Sequence, residues 1–114
     1  MSAITTHVLD ISKGRPASGI PVVLEFRAEE NEWKVLGQGV TDADGRVRTL
    51  LPPDSPLAEG TYRLTFDTAA YFRSQNVECF YPEVTVVFTV RDTAQHYHIP
   101  LLLSPYGHTT YRGS

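Results

Sequence analysis

The sequence predicts an all-β fold: an antiparallel sandwich of about eight short strands with one short helix. The hydrophobic period is mostly two. Val84, Val86, Phe88 and Val90 alternate with Glu83, Thr85, Val87 and Thr89, as a half-buried strand requires. Turn-forming clusters of Gly, Pro and Asp interrupt such runs at short intervals. Only Thr68–Ser74 (TAAYFRS) has helical character, about two turns at most.

Taken in order, the first β-rich run is Ile4–Ile11, closed by Gly14-Arg15-Pro16 and Gly19. Pro21–Arg27 follows, then a turn at Glu29-Glu30-Asn31-Glu32, then Trp33–Val40. Asp42-Ala43-Asp44-Gly45 is a turn from which Arg46–Leu50 departs, and Pro52-Pro53-Asp54-Ser55-Pro56 ends that run. Tyr62, Leu64 and Phe66 alternate with Thr61, Arg63 and Thr65, which puts the first three on a core face. On Gln95–Leu103 the core face falls to Tyr97, Ile99, Leu101 and Leu103. His96, His98, Pro100 and Leu102 take the other face, where two imidazoles and a leucine point to a groove or a subunit contact. Pro100 has no N–H, so strand pairing is interrupted or at an edge there. A last strand, Thr109–Arg112, presents an edge that a second copy of the chain could pair.

Composition narrows the function. Apolar residues make up 41% of the 114 residues and charged ones 20%, ordinary for one globular domain spanning 1–114. A net charge of −3 argues against nucleic acid or an anionic membrane surface as partner. Cys79 is the lone cysteine, so no intrachain disulfide can form, and Val77 and Phe80 beside it read as packing around an unreactive thiol. No run approaches the ~20 apolar residues of a membrane helix. Met1-Ser2-Ala3 opens without a basic, apolar leader, and the expected location is the cytosol.

The chemistry-bearing residues concentrate at the two ends. His96 and His98 share a strand face and suit proton transfer near neutral pH, and with His7 they could instead hold a metal ion. His7 lies in ITTHVLDI with Leu9 and Ile11 on its face, a setting that also suits a structural histidine. Asp42-Ala43-Asp44-Gly45 opens like a calcium loop, but Pro53 stands where the closing glutamate belongs, so it is a turn. Arg46 leaves that turn with its guanidinium fork beside a fixed bend, suited to a carbonyl or carboxylate, though a solvated arginine is the commoner case. The closing Tyr111-Arg112-Gly113-Ser114 is written like a strand rather than a loose tail. The Ser114 α-carboxylate, ionised at pH ~7, could orient a histidine or arginine.

HVLD near the start, TDADGR in the middle and HYHIPLLLSPYGHTTYRGS at the end together resemble the 5-hydroxyisourate hydrolases, the transthyretin-related enzymes of purine breakdown. The resemblance spans nearly the whole chain, and LLLSPYGxxTYRGS is its most specific part. It implies a transthyretin-like sandwich that opens 5-hydroxyisourate to 2-oxo-4-hydroxy-4-carboxy-5-ureidoimidazoline on the way from urate to allantoin. It assigns catalysis to His7, Arg46, His98 and Ser114 and substrate contact to His7, Arg46 and Tyr111. Arg112, Gly113 and His96 take supporting roles. It also implies no cofactor or metal, and a homotetramer (a dimer of dimers) with sites at the dimer–dimer contact. The hormone carrier transthyretin is similar in VLD, SPY and VVFT, but has lysine at the position of His7, glutamate at Arg46 and threonine at His98. A non-catalytic carrier of a small aromatic ligand is the competing expectation.

Overall fold

The structure, a computed structural model, describes residues 3–28 and 31–114. Glu29 and Glu30 of the expected turn, and Met1 and Ser2 of the expected leaderless start, lie outside the described residues. Among the described residues nine strands and one helix follow in order: β1 (Ile4–Asp10), β2 (Arg15–Pro16), β3 (Pro21–Arg27), β4 (Trp33–Val40), β5 (Arg46–Val47), β6 (Gly60–Phe66), α1 (Thr68–Ser74), β7 (Val84–Val90), β8 (Tyr97–Ser104) and β9 (Gly107–Thr110). One sheet runs β2-β1-β8-β9 with β5 also on β1, and the other runs β4-β3-β6-β7.

The alternation read from the sequence decides which faces meet. Ile4 and Val8 of β1 and Leu101 and Leu103 of β8 are buried against Val22, Leu24, Leu64 and Phe66 of the opposite sheet. Truncating a side chain such as Phe66 to alanine in a core like this costs about 3–5 kcal/mol. Val84 and Val90 are buried, and Val86 and Phe88 between them pack partly against the same core. Cys79 is likewise partly buried against it. Helix α1 matches its expected span, with Asp67 capping it by accepting from Ala70 N at 3.0 Å.

Several details depart from the sequence reading, among them a two-residue strand at Arg15–Pro16, where a turn is expected, and a β8 that begins at Tyr97, just after His96, rather than at Gln95. The sandwich is not antiparallel throughout: β1 and β8 pair in parallel over seven positions, from Ile4↔Tyr97 to Asp10↔Leu103. A parallel pair needs a long crossover, here most of the chain, which local turn signals do not reveal. The run expected over Arg46–Leu50 keeps strand pairing only at Arg46 and Val47; beyond them the alternation is lost, with Leu50 and Leu51 both buried, and the exposed Arg48 meets Asp42 at 3.1 Å and Asp44 at 3.7 Å. The last strand ends at Thr110 rather than Arg112. Pro100 offers no N–H to continue the ladder; Thr110 Oγ1 donates to its carbonyl at 2.8 Å, and pairing resumes in phase where Gly113 N donates to His98 O at 2.8 Å.

Candidate active site

Parallel pairing of β1 with β8 sets Thr5 opposite His98 and His7 opposite Pro100, and β5 on the other flank sets Arg46 opposite His7. All five point away from the core, since Ile4, Thr6 and Val8 fill the inner face of β1 and Tyr97, Ile99 and Leu101 that of β8. This settles the face of His7, which periodicity alone left open. Three segments distant in sequence thus bring two imidazoles and a guanidinium onto one patch of the outer sheet face.

The turn Asp42–Gly45 fixes Arg46. Asp42 Oδ1 accepts from Asp44 N at 2.9 Å and Arg46 N at 3.0 Å, and Gly45 N donates to Asp42 O at 2.9 Å. Gly45 has φ 76°, and a Cβ there would lie 2.3 Å from Val8 O, so the turn that delivers Arg46 to β1 requires glycine.

A cavity of about 640 Å³ opens over this patch, lined among others by Thr5, Arg46, Arg48, His96, His98 and Ser114. His98 is half-buried; its Nδ1 lies 2.8 Å from Thr5 Oγ1, and His96 Nε2 lies 3.1 Å from the same hydroxyl. His7 is not among the residues lining this cavity; it lies on β1 two residues beyond Thr5 on the same face, opposite the lining residue Arg46. Burial lowers the pKa of both His7 and His98 from the ordinary 6.5, and the Arg46 charge lowers each further. Asp44 and Asp42 pull His7 partly back, whereas His98 is pushed further down by His7 and His96. Both rings are therefore neutral at neutral pH, with a lone pair available to take a proton.

The tail supports the site unequally. Ser114 reaches the cavity wall. Arg112 does not; it is pinned to the start of β8, donating to Gln95 Oε1 at 2.6 Å and covering the Tyr97 ring at 4.5 Å. Tyr111 is 55% exposed and lines a neighbouring groove with Val86, Phe88 and Tyr97 that shares only His98 with the larger cavity. Within one chain it is not brought to Arg46. Thr5 is the residue the sequence reading missed. Its signal was its place two residues before His7, but its meaning depends on a long-range strand pairing. Among the described residues no group of three or more His, Cys, Asp or Glu is placed to hold a metal ion.

Residues 4–113 match the HIUase/transthyretin family. The chain belongs to that family. Within it, the chain is 47% identical over 111 residues to the 5-hydroxyisourate hydrolase of Salmonella typhimurium, covering 97% of this chain and 80% of that protein. The structure of Klebsiella pneumoniae 5-hydroxyisourate hydrolase superposes with a TM-score of 0.83 at 38% identity, covering 97% of this chain and 98% of that one. Sea bream transthyretin in complex with thyroxine superposes with a TM-score of 0.91 at 32% identity, covering 98% and 95%. By TM-score the transthyretin backbone is nearer than that of this hydrolase, so the HIUase/transthyretin fold does not choose between the two functions; the side chains on the outer sheet face do.

Proposed function

We propose that the protein is a 5-hydroxyisourate hydrolase, opening a cyclic amide of its substrate to 2-oxo-4-hydroxy-4-carboxy-5-ureidoimidazoline in urate degradation. The observation that carries this reading is the convergence of His7, Arg46 and His98 on one sheet face beside a cavity large enough for a purine-sized ligand. The residues that the family resemblance assigns to catalysis, His7, Arg46 and His98, are all present in this chain, which is 47% identical to one of the hydrolases.

The reaction needs a nucleophile, charge stabilisation and a proton for the leaving nitrogen. A neutral imidazole of the His7–His98 pair takes a proton from water as its oxygen attacks the ring carbonyl carbon. The carbon–nitrogen bond then breaks, and the proton passes to the departing nitrogen. Such acid–base assistance contributes roughly 10²–10⁴ in rate. Arg46, held by its turn, donates to the oxygen that becomes negative, a role worth about 3–4 kcal/mol in other hydrolytic sites. The Ser114 side of the cavity helps to orient the pair, and Tyr111 contributes to substrate contact when neighbouring copies of the chain bring its groove against the cavity.

The same outer face supports a homotetramer built as two sandwich dimers. Leu9, Ile11 and Leu102 surround the site with apolar surface, Ile11 being 57% exposed, and β9 and β7 end their sheets as pairable edges. Light scattering should return about four times the 12.7 kDa chain mass; a monomer would remove this part of the proposal. The activity itself is tested by following the ultraviolet decay of freshly generated 5-hydroxyisourate with and without the protein.

A further inference from the structure

Thr5 is 8% exposed, and its hydroxyl meets two imidazoles: His98 Nδ1 at 2.8 Å and His96 Nε2 at 3.1 Å. The rings are nearly parallel, 23° apart with centroids 6.4 Å from each other, so the hydroxyl bridges a gap they cannot close directly. A hydroxyl carries a single proton to donate and two lone pairs to accept with. Thr5 Oγ1 has no other hydrogen-bond partner among the described residues; with its proton directed to one of the two facing nitrogens rather than into the cavity, the other nitrogen donates to it. When both rings are neutral, a protonated His98 Nδ1 therefore demands a bare His96 Nε2, and a bare His98 Nδ1 demands a protonated His96 Nε2.

We infer that Thr5 is a positioning residue whose one hydroxyl proton locks His96 and His98 into the same tautomer, both Nδ1–H or both Nε2–H, and so sets whether His98 presents its free nitrogen as a base or as an acid. This rests on the hydrolase reading for its purpose but not for its geometry. His98 Nδ1 is taken by Thr5 and its Cδ2 edge lies against Gly113, which leaves Nε2 as the working atom. In the Nδ1–H state Nε2 is bare and accepts the proton of the attacking water. The Nδ1 proton then moves to Thr5 Oγ1 as the Thr5 proton moves to His96 Nε2, so the positive charge passes to the exposed His96. Delivery of the Nε2 proton to the departing nitrogen runs the same shifts in reverse, and no proton is gained or lost overall. His96 thereby has a task that its exposed position alone does not suggest.

The test compares Thr5→Val, which keeps the shape and removes the hydroxyl, with Thr5→Ser, which keeps the hydroxyl and removes a methyl. Thr5→Val should lower kcat at least roughly tenfold, part of the acid–base contribution, with little change in KM. Thr5→Ser should recover most of the rate, and adding His96→Ala to Thr5→Val should cost little more. A packing role predicts the opposite order, Val near wild type and Ser impaired, and that result overturns the inference. Nitrogen NMR shifts of the wild-type rings, taken where both are neutral, provide a readout independent of turnover. Matching tautomers at His96 and His98 support the lock, and opposite tautomers refute it. A wild-type protein without hydroxyisourate turnover would instead defeat the functional reading, and the NMR result would still decide the lock.

Discussion

Gly113 lies against the imidazole of His98. Its N–H donates to the His98 carbonyl at 2.8 Å, and a Cβ in its place would stand 2.7 Å from His98 Cδ2 and 3.2 Å from Pro100 Cγ. The requirement is close approach rather than an unusual backbone angle. By lacking a side chain, Gly113 leaves room for the ring beside Thr5, and strand pairing and ring position become one structural element.

Gly113→Ala should therefore act on the site more than on the fold. The added methyl must push either His98 or the last residues away, and kcat should fall roughly tenfold or more, since a small displacement of an acid–base group is costly. Thermal unfolding should move by only a few degrees, because the segment beyond Thr110 contributes little to the core. Calorimetry alongside steady-state kinetics checks both.

His98→Asn should fold, since the ring is on the outer face and no core residue depends on it, but should lose about 10²–10⁴ in turnover. Circular dichroism with single-substrate kinetics makes the comparison. Near-normal activity would remove His98 from the mechanism.

Arg46 affects both charge and geometry. Arg46→Lys keeps the charge and loses the planar fork, and kcat/KM should drop by about 10²-fold, the scale of a lost oxyanion donor. Arg46→Gln removes the charge as well. Burial would still hold the His98 pKa down, but the depression caused by the guanidinium would be gone. The acid limb of the kcat/KM profile, which in the wild type lies below the ordinary 6.5, should then move to higher pH. A limb that stays in place would mean that Arg46 does not act on the titrating histidine.

Much of this was legible in the sequence, for physical reasons. Period-two alternation has one interpretation on a half-buried strand, so the outer-face placement of His96 and His98 and the inner-face placement of Tyr62, Leu64 and Phe66 followed directly. Pro100 announced the break in pairing before Gly113. The partner of each strand was not legible, because hydrogen-bond pairing across most of the chain leaves no local trace. For that reason the parallel β1–β8 contact, and with it the role of Thr5, emerged only in three dimensions. The run from Arg46 shows the converse limit: its strand-like residues gave no sign that pairing would stop at Val47 and that Leu50 and Leu51 would both be buried.

Asp10 offers a test of the scaffold beneath the site. It is fully buried on β1 and accepts from Tyr71 OH at 2.6 Å and from Ser12 N and Oγ, which ties α1 to the sheet. Burial pushes its carboxyl pKa up, but the hydrogen bonds from Ser12 and Tyr71 outweigh that and hold it below 3.8. A carboxyl with a depressed folded-state pKa contributes stability above its unfolded value and loses it as pH falls through the folded one. Tyr71→Phe should thus cost about 1.5–3 kcal/mol in urea unfolding at about pH 7, with the gap to wild type shrinking below about pH 4.

The central claim is that His7, Arg46 and His98, joined through β1, β5 and β8, make a hydrolytic site on a fold shared with a hormone carrier. The most direct measurement is the ultraviolet decay of 5-hydroxyisourate, freshly made from urate, in the presence of wild-type protein and of His7→Asn, Arg46→Lys and His98→Asn variants. Fast decay with wild type and near-background decay with each correctly folded variant is the predicted result. Saturable binding of the compound with no acceleration of its decay by the wild-type protein would contradict the account and leave a carrier in its place.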